Sequence, residues 1–185
     1  RLNADFIDNS GGVDLSDHEV NLKILLKDVQ HSTNMSDAAR NRLLATLSDE
    51  VAQLVLDNSA AHGRQISRDV LRSKQDIFQF GRAIAFVEQQ FQRDRRDLSL
   101  PDNEELIRRA NAGVGLTRPE VATLSAWIKM YVYQALLNDS AKKIPGYDDY
   151  LMSYFPAAIR EKYADHIRKH MLAKEIVMTM LSTQL

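Results

Sequence analysis

The sequence predicts a mainly α-helical fold, an irregular helical bundle with a short strand-like segment at its N-terminus. Three observations lead to this prediction. Apolar residues recur at the helical spacing i, i+3, i+4 over most of the 185 residues. Capping residues stand at the start of several of these stripes. Only the first few residues alternate apolar and polar side chains in the manner of a strand.

The strand-like segment is Leu2–Ile7, and it is followed closely by the paired glycines Gly11–Gly12. The first predicted helix runs from about Asp17 to Gln30, with an inward stripe of Leu22, Leu25, Leu26 and Val29. Ser16 and Glu19 match a capping box, in which a serine hydroxyl and a glutamate satisfy backbone N–H groups at the start of a helix. We therefore expect the glycines to form the turn between strand and helix.

Further stripes and caps predict the other helices. Ser36 caps a second helix and Ser48 opens a third. A long helix is predicted from about Ser67 to Arg95, on a stripe of Ile77, Phe80, Ile84, Val87 and Phe91. Gly81 inside this stripe indicates a close helix crossing. Thr117–Glu120 is a capping box with a proline in the first turn, and short helices follow around 148–154, 157–170 and 172–183.

The composition excludes several classes of function. The chain has no cysteine, which excludes disulfides, thiolate catalysis and cysteine-ligated metals and fits a reducing compartment. A net charge of −1 gives no field that would recruit nucleic acid. No apolar run approaches the ~20 residues of a membrane span, and no signal peptide opens the chain. We therefore predict a cytoplasmic protein with no nucleic-acid or membrane partner, and its start at Arg1 predicts a piece of a longer chain.

Two clusters of polar residues are candidate sites, and each has a plainer interpretation. His166 and His170 have the four-residue spacing of a metal-binding helix face, but basic neighbours and the lack of a third ligand favour a solvated face, so no metal site is predicted. Arg64, Arg68 and Arg72 follow one another at i+4, with Lys74 nearby, in the manner of an anion-binding stripe or of a solvated or oligomer-facing helix side. The isolated histidines are interpreted as ordinary surface residues: His18, His31 and His62.

The stretch around the paired glycines is not fully explained by local structure. A capping box accounts for Ser16 and Glu19, but it requires neither Asn9 nor two adjacent glycines. Paired glycines allow another backbone or a ligand to approach closely. A glycine turn that leads into a helix N-terminus is also where many enzymes hold anionic groups.

Three motifs resemble a known family. Asn9–Glu19, which reads Asn-Ser-Gly-Gly-Val-x-x-Ser-x-x-Glu, resembles the signature of glutamate dehydrogenases. The longer stretch Leu2–Ile24 is closer still to the large bacterial NAD-specific members. Gly115–Ala122 resembles their Gly-Leu-Thr-Arg-Pro-Glu-Leu-Ala segment, and Tyr154–Pro156 resembles another patch near their C-terminal end. The resemblance spans essentially the whole chain.

The resemblance implies roles for five residues. In glutamate dehydrogenases the positions that match Val13 and Ser16 line the pocket for the glutamate side chain, and the serine hydroxyl binds its distal carboxylate. The position of Asn9 lies on the nicotinamide side of the cofactor NAD, and Gly11 and Gly12 give the tight backbone beside substrate and cofactor. The family's catalytic lysines, catalytic aspartate and dinucleotide fingerprint precede this motif, so no catalytic residue is expected in this segment.

The resemblance also implies a domain division. Residues 1–31 would be the terminal edge of the catalytic region, and residues 32–185 a C-terminal helical domain. The longer protein would convert L-glutamate, water and NAD to 2-oxoglutarate, ammonia and NADH, as a homo-oligomer, while the isolated segment would be inactive. The alternative, which the residues leave open, is a freestanding helical protein-interaction module with no catalytic role.

Overall fold

The computed structural model describes residues 2–138 and 144–183, and these ranges form ten α-helices and no β-strand. The helices are α1 (Asp5–Asp8), α2 (Ser10–Thr33), α3 (Asp37–Thr46), α4 (Ser48–Gln75), α5 (Ile77–Phe91), α6 (Asn103–Asn111), α7 (Arg118–Asn138), α8 (Tyr147–Tyr154), α9 (Ala157–Arg168) and α10 (Ala173–Thr183). The prediction of a mainly α-helical fold is confirmed. Over the described ranges, no helix combines the length and the apolarity needed to span a membrane.

The chain divides into two compact units. Unit 1 contains the N-terminal stretch through Ser10 together with Asn58–Tyr131, and unit 2 contains Gly11–Asp57 together with the stretch from Val132 onward. Each unit has its own apolar core. Helices α2, α4 and α7 contribute residues to both units, α2 through Ser10 alone in unit 1.

The core of unit 2 is built on the predicted apolar stripe of α2, whose four residues Leu22, Leu25, Leu26 and Val29 are at most 3% exposed. In unit 2, α8 packs against α9 and α10. These three helices supply most of the other buried side chains, among them Leu151, Ile159, Ile167, Val177 and Met178, and Phe155 is buried just after α8. The Ser36 cap is also confirmed, since its hydroxyl accepts the backbone N–H of Ala39 at 3.2 Å.

The core of unit 1 lies among the apolar faces of α5, α6 and neighbouring segments, with Ile84, Val87, Leu106 and Val121 fully or almost fully buried. Helices α5 and α6 pack closely at Gly81, where an added Cβ would lie 3.0 Å from Leu106 Cδ1. This confirms the close helix crossing predicted there.

The strand-like N-terminal segment is a wrong prediction. Leu2–Ala4 is irregular, Asp5–Asp8 forms the single turn α1, and Asn3 donates from its backbone N–H to the Asp8 carboxylate at 2.9 Å. A lone strand leaves its N–H and C=O groups without partners, whereas a helical turn satisfies them locally. Alternation of side chains is not enough to form a strand when the described residues offer no second strand to pair with it.

The long helix predicted from Ser67 to Arg95 is also wrong in its extent. The helix is interrupted at Asp76, which lies between the end of α4 and the start of α5. The Asp76 carboxylate accepts a hydrogen bond from the Gln79 backbone N–H at 3.0 Å. An N-cap aspartate satisfies one of the orphan N–H groups of a new helix, so the break is stabilised by the aspartate itself. The predicted stripe is real, and Ile77, Ile84 and Val87 are buried, but it belongs to α5 alone.

Candidate functional site

The paired glycines lie inside a helix. Helix α2 begins at Ser10, so Gly11 and Gly12 occupy its first turn and Ser16 lies well within it. The predictions that the glycines form a turn and that Ser16 caps the helix are therefore wrong. Inside an α-helix the N–H of Glu19 is bonded to the carbonyl four residues earlier, so it has no need of a serine cap. The Ser10 hydroxyl instead donates to the Ile7 carbonyl at 2.9 Å.

The five residues to which the family resemblance assigns roles are mostly exposed to solvent. Asn9 belongs to unit 1, where it is exposed at the C-terminal end of α1. The other four belong to unit 2. Val13 is 67% exposed, Gly12 and Ser16 are exposed, and Gly11 is half-buried. Val13 and Ser16 are three residues apart on α2, which places them on one face of the helix.

Neither glycine of the pair is required by packing. A Cβ added to Gly12 would meet no atom within 4 Å, and one added to Gly11 would meet only Val55 Cγ1, at 3.7 Å, an ordinary contact. By contrast, a Cβ on Gly115 would lie 2.4 Å from Ser73 Oγ and 2.7 Å from the Lys74 backbone nitrogen. Close packing therefore requires a glycine at position 115, whereas no packing contact requires one at position 12.

The other side of α2 carries a buried polar cluster, which sequence analysis missed. His18, interpreted from sequence as a surface residue, is 2% exposed, and Asn21 is 9% exposed. The His18 ring stacks on the Tyr154 ring with centroids 4.3 Å apart, and Asn21 Nδ2 donates to the Tyr154 hydroxyl oxygen at 2.9 Å. His170 Nε2 is within hydrogen-bonding distance of the Asn21 backbone carbonyl oxygen, at 3.1 Å.

Burial controls the charge of this cluster. Loss of hydration lowers the pKa of His18, although Asp14 and Asp17 oppose the change. Loss of hydration likewise lowers the pKa of His170. It raises the pKa of Tyr154 to about 12, so the phenol stays protonated. The spacing of His18 to Leu22 and Leu25 continues the apolar stripe, and that is the sequence signal that would have placed His18 inside.

Residues of the second motif, Gly115–Ala122, make hydrogen bonds that stabilise the fold. Thr117 N–H and hydroxyl both donate to Glu120 Oε2, at 2.7 and 2.8 Å, which confirms the predicted capping box. Arg109 donates to both Glu120 oxygens, at 2.7 and 2.9 Å. Burial opposes ionisation of Glu120, but these hydrogen bonds outweigh it and lower the pKa of Glu120. Arg118 donates to Asn3 Oδ1 and to Ser67 Oγ, both at 2.8 Å.

The residues of the two weaker candidate clusters have ordinary polar partners or lie exposed. His166 Nδ1 lies 2.7 Å from an Asp28 carboxylate oxygen, while His170 is engaged with Asn21, so the two histidines have separate partners. No group of three potential metal ligands occurs within residues 2–138 and 144–183. In the basic stripe, Arg64 and Arg68 are exposed, and Arg72 pairs with Asp69 at 3.0 Å. The stripe has the character of a solvated helix face.

Comparison with known families matches both ends of the chain. Residues 1–69 match the family model described as bacterial NAD-glutamate dehydrogenase, catalytic domain, and residues 113–185 match the one described as glutamate dehydrogenase, C-terminal. Proteins named NAD-specific glutamate dehydrogenase are similar over nearly the whole chain. The relative from Pseudomonas aeruginosa is 40% identical over 99% of the chain. The relatives from Halomonas elongata and Mycobacterium tuberculosis are 36% and 37% identical over 100% of it.

The chain spans 11–12% of the length of these relatives. The stretch with the paired glycines and α2 falls in the match to the catalytic domain, and the helices from α7 onward fall in the C-terminal match. Two family models that cover both ends, together with relatives of one name along its full length, show that this chain belongs to the bacterial NAD-specific glutamate dehydrogenases.

Proposed function

We propose that this chain supplies one wall of the substrate pocket in an enzyme that converts L-glutamate, water and NAD to 2-oxoglutarate, ammonia and NADH. The observation that carries the proposal is the exposed face of α2. Val13 and Ser16 share this face and are uncovered, although the same helix buries its opposite side in the core. An apolar surface beside a hydroxyl donor suits the methylene groups and the distal carboxylate of glutamate.

The electrostatics at the start of α2 support binding of a carboxylate. The N-terminal end of a helix carries a partial positive charge, which acidic residues in the first turn commonly offset. The first turn of α2 contains no acidic residue. Its positive end is therefore left uncompensated by side chains of that turn, and an anionic substrate group nearby would be stabilised.

We assign Asn9, Gly11 and Gly12 to the cofactor side of the site. The open space over Gly12 fits a substrate or cofactor that approaches the backbone more closely than a side chain would allow. NAD, when bound, supplies the nicotinamide ring that accepts the hydride. The residues of this chain would orient the reacting groups, and the groups that move protons would come from the rest of the enzyme.

The remaining parts of the proposal concern the protein as a whole. We expect the isolated chain to be inactive, because its assigned residues bind and orient but include no acid or base for the chemistry. We place the boundary between the catalytic edge and the C-terminal helical domain at residue 31. We also propose a cytoplasmic homo-oligomer, in which the helical part contributes packing contacts.

The proposal is tested by removing the Ser16 hydroxyl in the full-length enzyme. A hydrogen bond to a charged group contributes about 1.5 to 3 kcal/mol, so Ser16→Ala should raise the KM for glutamate roughly 10- to 100-fold. In the isolated chain the same substitution should not lower stability, because Ser16 caps no helix and alanine is the better helix former. Ser59→Ala, which removes an exposed hydroxyl from α4, is the matched control.

The KM of Ser16→Ala distinguishes the proposed pocket from the alternative function, a freestanding protein-interaction module. Exposed apolar residues on α2, Val13, Leu15 and Val20, would suit a protein partner as well as a substrate. The match of residues 1–69 to a catalytic domain supports the enzyme. An unchanged KM for glutamate in Ser16→Ala would remove the pocket assignment. Turnover of glutamate and NAD by the isolated chain would contradict the expectation that it is inactive.

A further inference from the structure

The third sequence motif, Tyr154–Pro156, has no role in the proposed pocket, yet its tyrosine contacts the helix that carries the pocket residues. Tyr154 ends α8 and meets α2 at two points in unit 2. Its hydroxyl oxygen accepts a hydrogen bond from Asn21 Nδ2 at 2.9 Å, and its ring stacks on His18 with an interplanar angle of 15°.

His170 makes the third contact with α2, and its hydrogen bonds define its protonation. The Leu172 backbone N–H donates to His170 Nδ1 at 3.1 Å, so Nδ1 must be the acceptor nitrogen. Nε2 then carries the proton and donates to the Asn21 carbonyl oxygen at 3.1 Å. The neutral ring is in keeping with the burial that lowers the pKa of His170.

We infer that Tyr154 and His170 are positioning residues, which fix the rotation of α2 about its axis and thereby place Ser16 and Val13 in the substrate pocket. This inference rests on the proposed function. Successive residues of an α-helix are about 100° apart, so Ser16 lies about 140° from Asn21 and about 160° from His18, on the far side of the helix from the two contacts.

Directional contacts matter here because the apolar core alone does not define the rotation of a helix sharply. The leucines and valine of α2 tolerate small rotations, whereas two hydrogen bonds and a ring stack do not. Side-chain atoms lie roughly 5 to 6 Å from a helix axis, so a rotation of about 10° moves the Ser16 hydroxyl by about 1 Å. A misplacement of about 1 Å at a reacting centre can reduce the rate about 100-fold.

The contacts also give a role to the C-terminal part of the chain. Tyr154 and His170 fall in the segment matched by the C-terminal family model, whereas His18 and Asn21 fall in the segment matched by the catalytic-domain model. The C-terminal helices therefore act on catalysis by holding a helix of the catalytic region, without touching the substrate themselves.

The test is a double-mutant cycle in the full-length enzyme. Tyr154→Phe keeps the ring stack and removes only the hydroxyl, and it should raise the KM for glutamate about tenfold through the displaced Ser16. In a Ser16→Ala background the same substitution should raise KM less than about twofold, because its effect passes through Ser16. Tyr163→Phe, at a buried tyrosine of the same core, is the matched control and should leave KM unchanged.

A second pair of variants guards against loss of folding. His170→Gln keeps an N–H that can reach the Asn21 carbonyl and should retain a nearly normal KM, while His170→Ala should raise it. If Ser16→Ala raises KM but Tyr154→Phe and His170→Ala do not, the positioning role is wrong and the pocket assignment stands. If Tyr154→Phe raises KM equally with and without the Ser16 hydroxyl, the positioning role is wrong as well. If Ser16→Ala itself has no effect, the proposed function fails.

Discussion

Gly12 is the position at which folding and function make opposite demands. It is helical and exposed, and an added Cβ would meet no atom within 4 Å. Alanine is favoured over glycine by about 1 kcal/mol inside a helix, and by less in the first turn, so Gly12→Ala should stabilise the isolated chain by about 0.5 to 1 kcal/mol. For a chain of this size this corresponds to a rise in Tm of about 1 to 4 °C.

The assay is thermal unfolding of the isolated chain, followed by circular dichroism. Gly63→Ala is the matched control, because Gly63 lies inside α4 and an added Cβ there also meets nothing within 4 Å. In the full-length enzyme the methyl group of Gly12→Ala should instead lower kcat/KM, because it occupies space proposed for substrate or cofactor. Loss of stability in the isolated chain would show that Gly12 is not in an open helical turn. Unchanged kinetics in the enzyme would place Gly12 outside the site.

The remaining predictions concern stability. Gly115→Ala should cost about 1 to 3 kcal/mol in urea unfolding because the new Cβ would overlap Ser73, and no change would contradict the tight packing there. Arg118→Ala loses three hydrogen bonds made by a charged group, to Asn3, Ser67 and the Gly63 carbonyl, of which the first two each contribute about 1.5 to 3 kcal/mol, and should lower the Tm by several degrees. Burial lowers the pKa of His18 in the folded state below its ordinary value of 6.5. As the pH falls below about 6.5, the unfolded chain therefore takes up a proton at His18 before the folded chain does, and the folded state loses stability. His18→Gln should flatten this loss of stability below about pH 6.5 in urea unfolding, and an unchanged pH dependence would contradict the burial of His18.

Helical stripes and two caps, at Ser36 and at Thr117–Glu120, were predictable because their causes are local. The Leu22 to Val29 stripe and the Thr117–Glu120 capping box each depend on residues within about three turns, and both are confirmed. Alternation at Leu2–Ile7 predicted a strand that does not form, because a strand depends on a partner that the pattern does not contain. The Ser16 cap failed for a related reason, since Ser-x-x-Glu occurs inside helices as well as at their starts.

The candidate site was predictable only through the family resemblance. Nothing in the exposure of Val13 or the open space at Gly12 names a substrate, and their roles remain proposals. The polar cluster on the buried face of the same helix was missed because residue type alone predicts that an isolated histidine such as His18 lies at the surface. Its partner Tyr154 is more than a hundred residues away in sequence, and no local pattern connects them.

The division of the chain into units has a consequence for biosynthesis. Most of unit 1 comes from one continuous stretch, Asn58–Tyr131, whereas unit 2 joins Gly11–Asp57 to the stretch that begins at Val132. A ribosome adds about 5 to 20 residues per second, so about 6 to 25 seconds separate synthesis of Leu22 from synthesis of Leu151, with which it shares a core. During this interval the apolar stripe of α2 lacks the part of its core that α8, α9 and α10 supply. Helix α2 is therefore the nascent segment on which a chaperone would act, and slow translation would favour aggregation there.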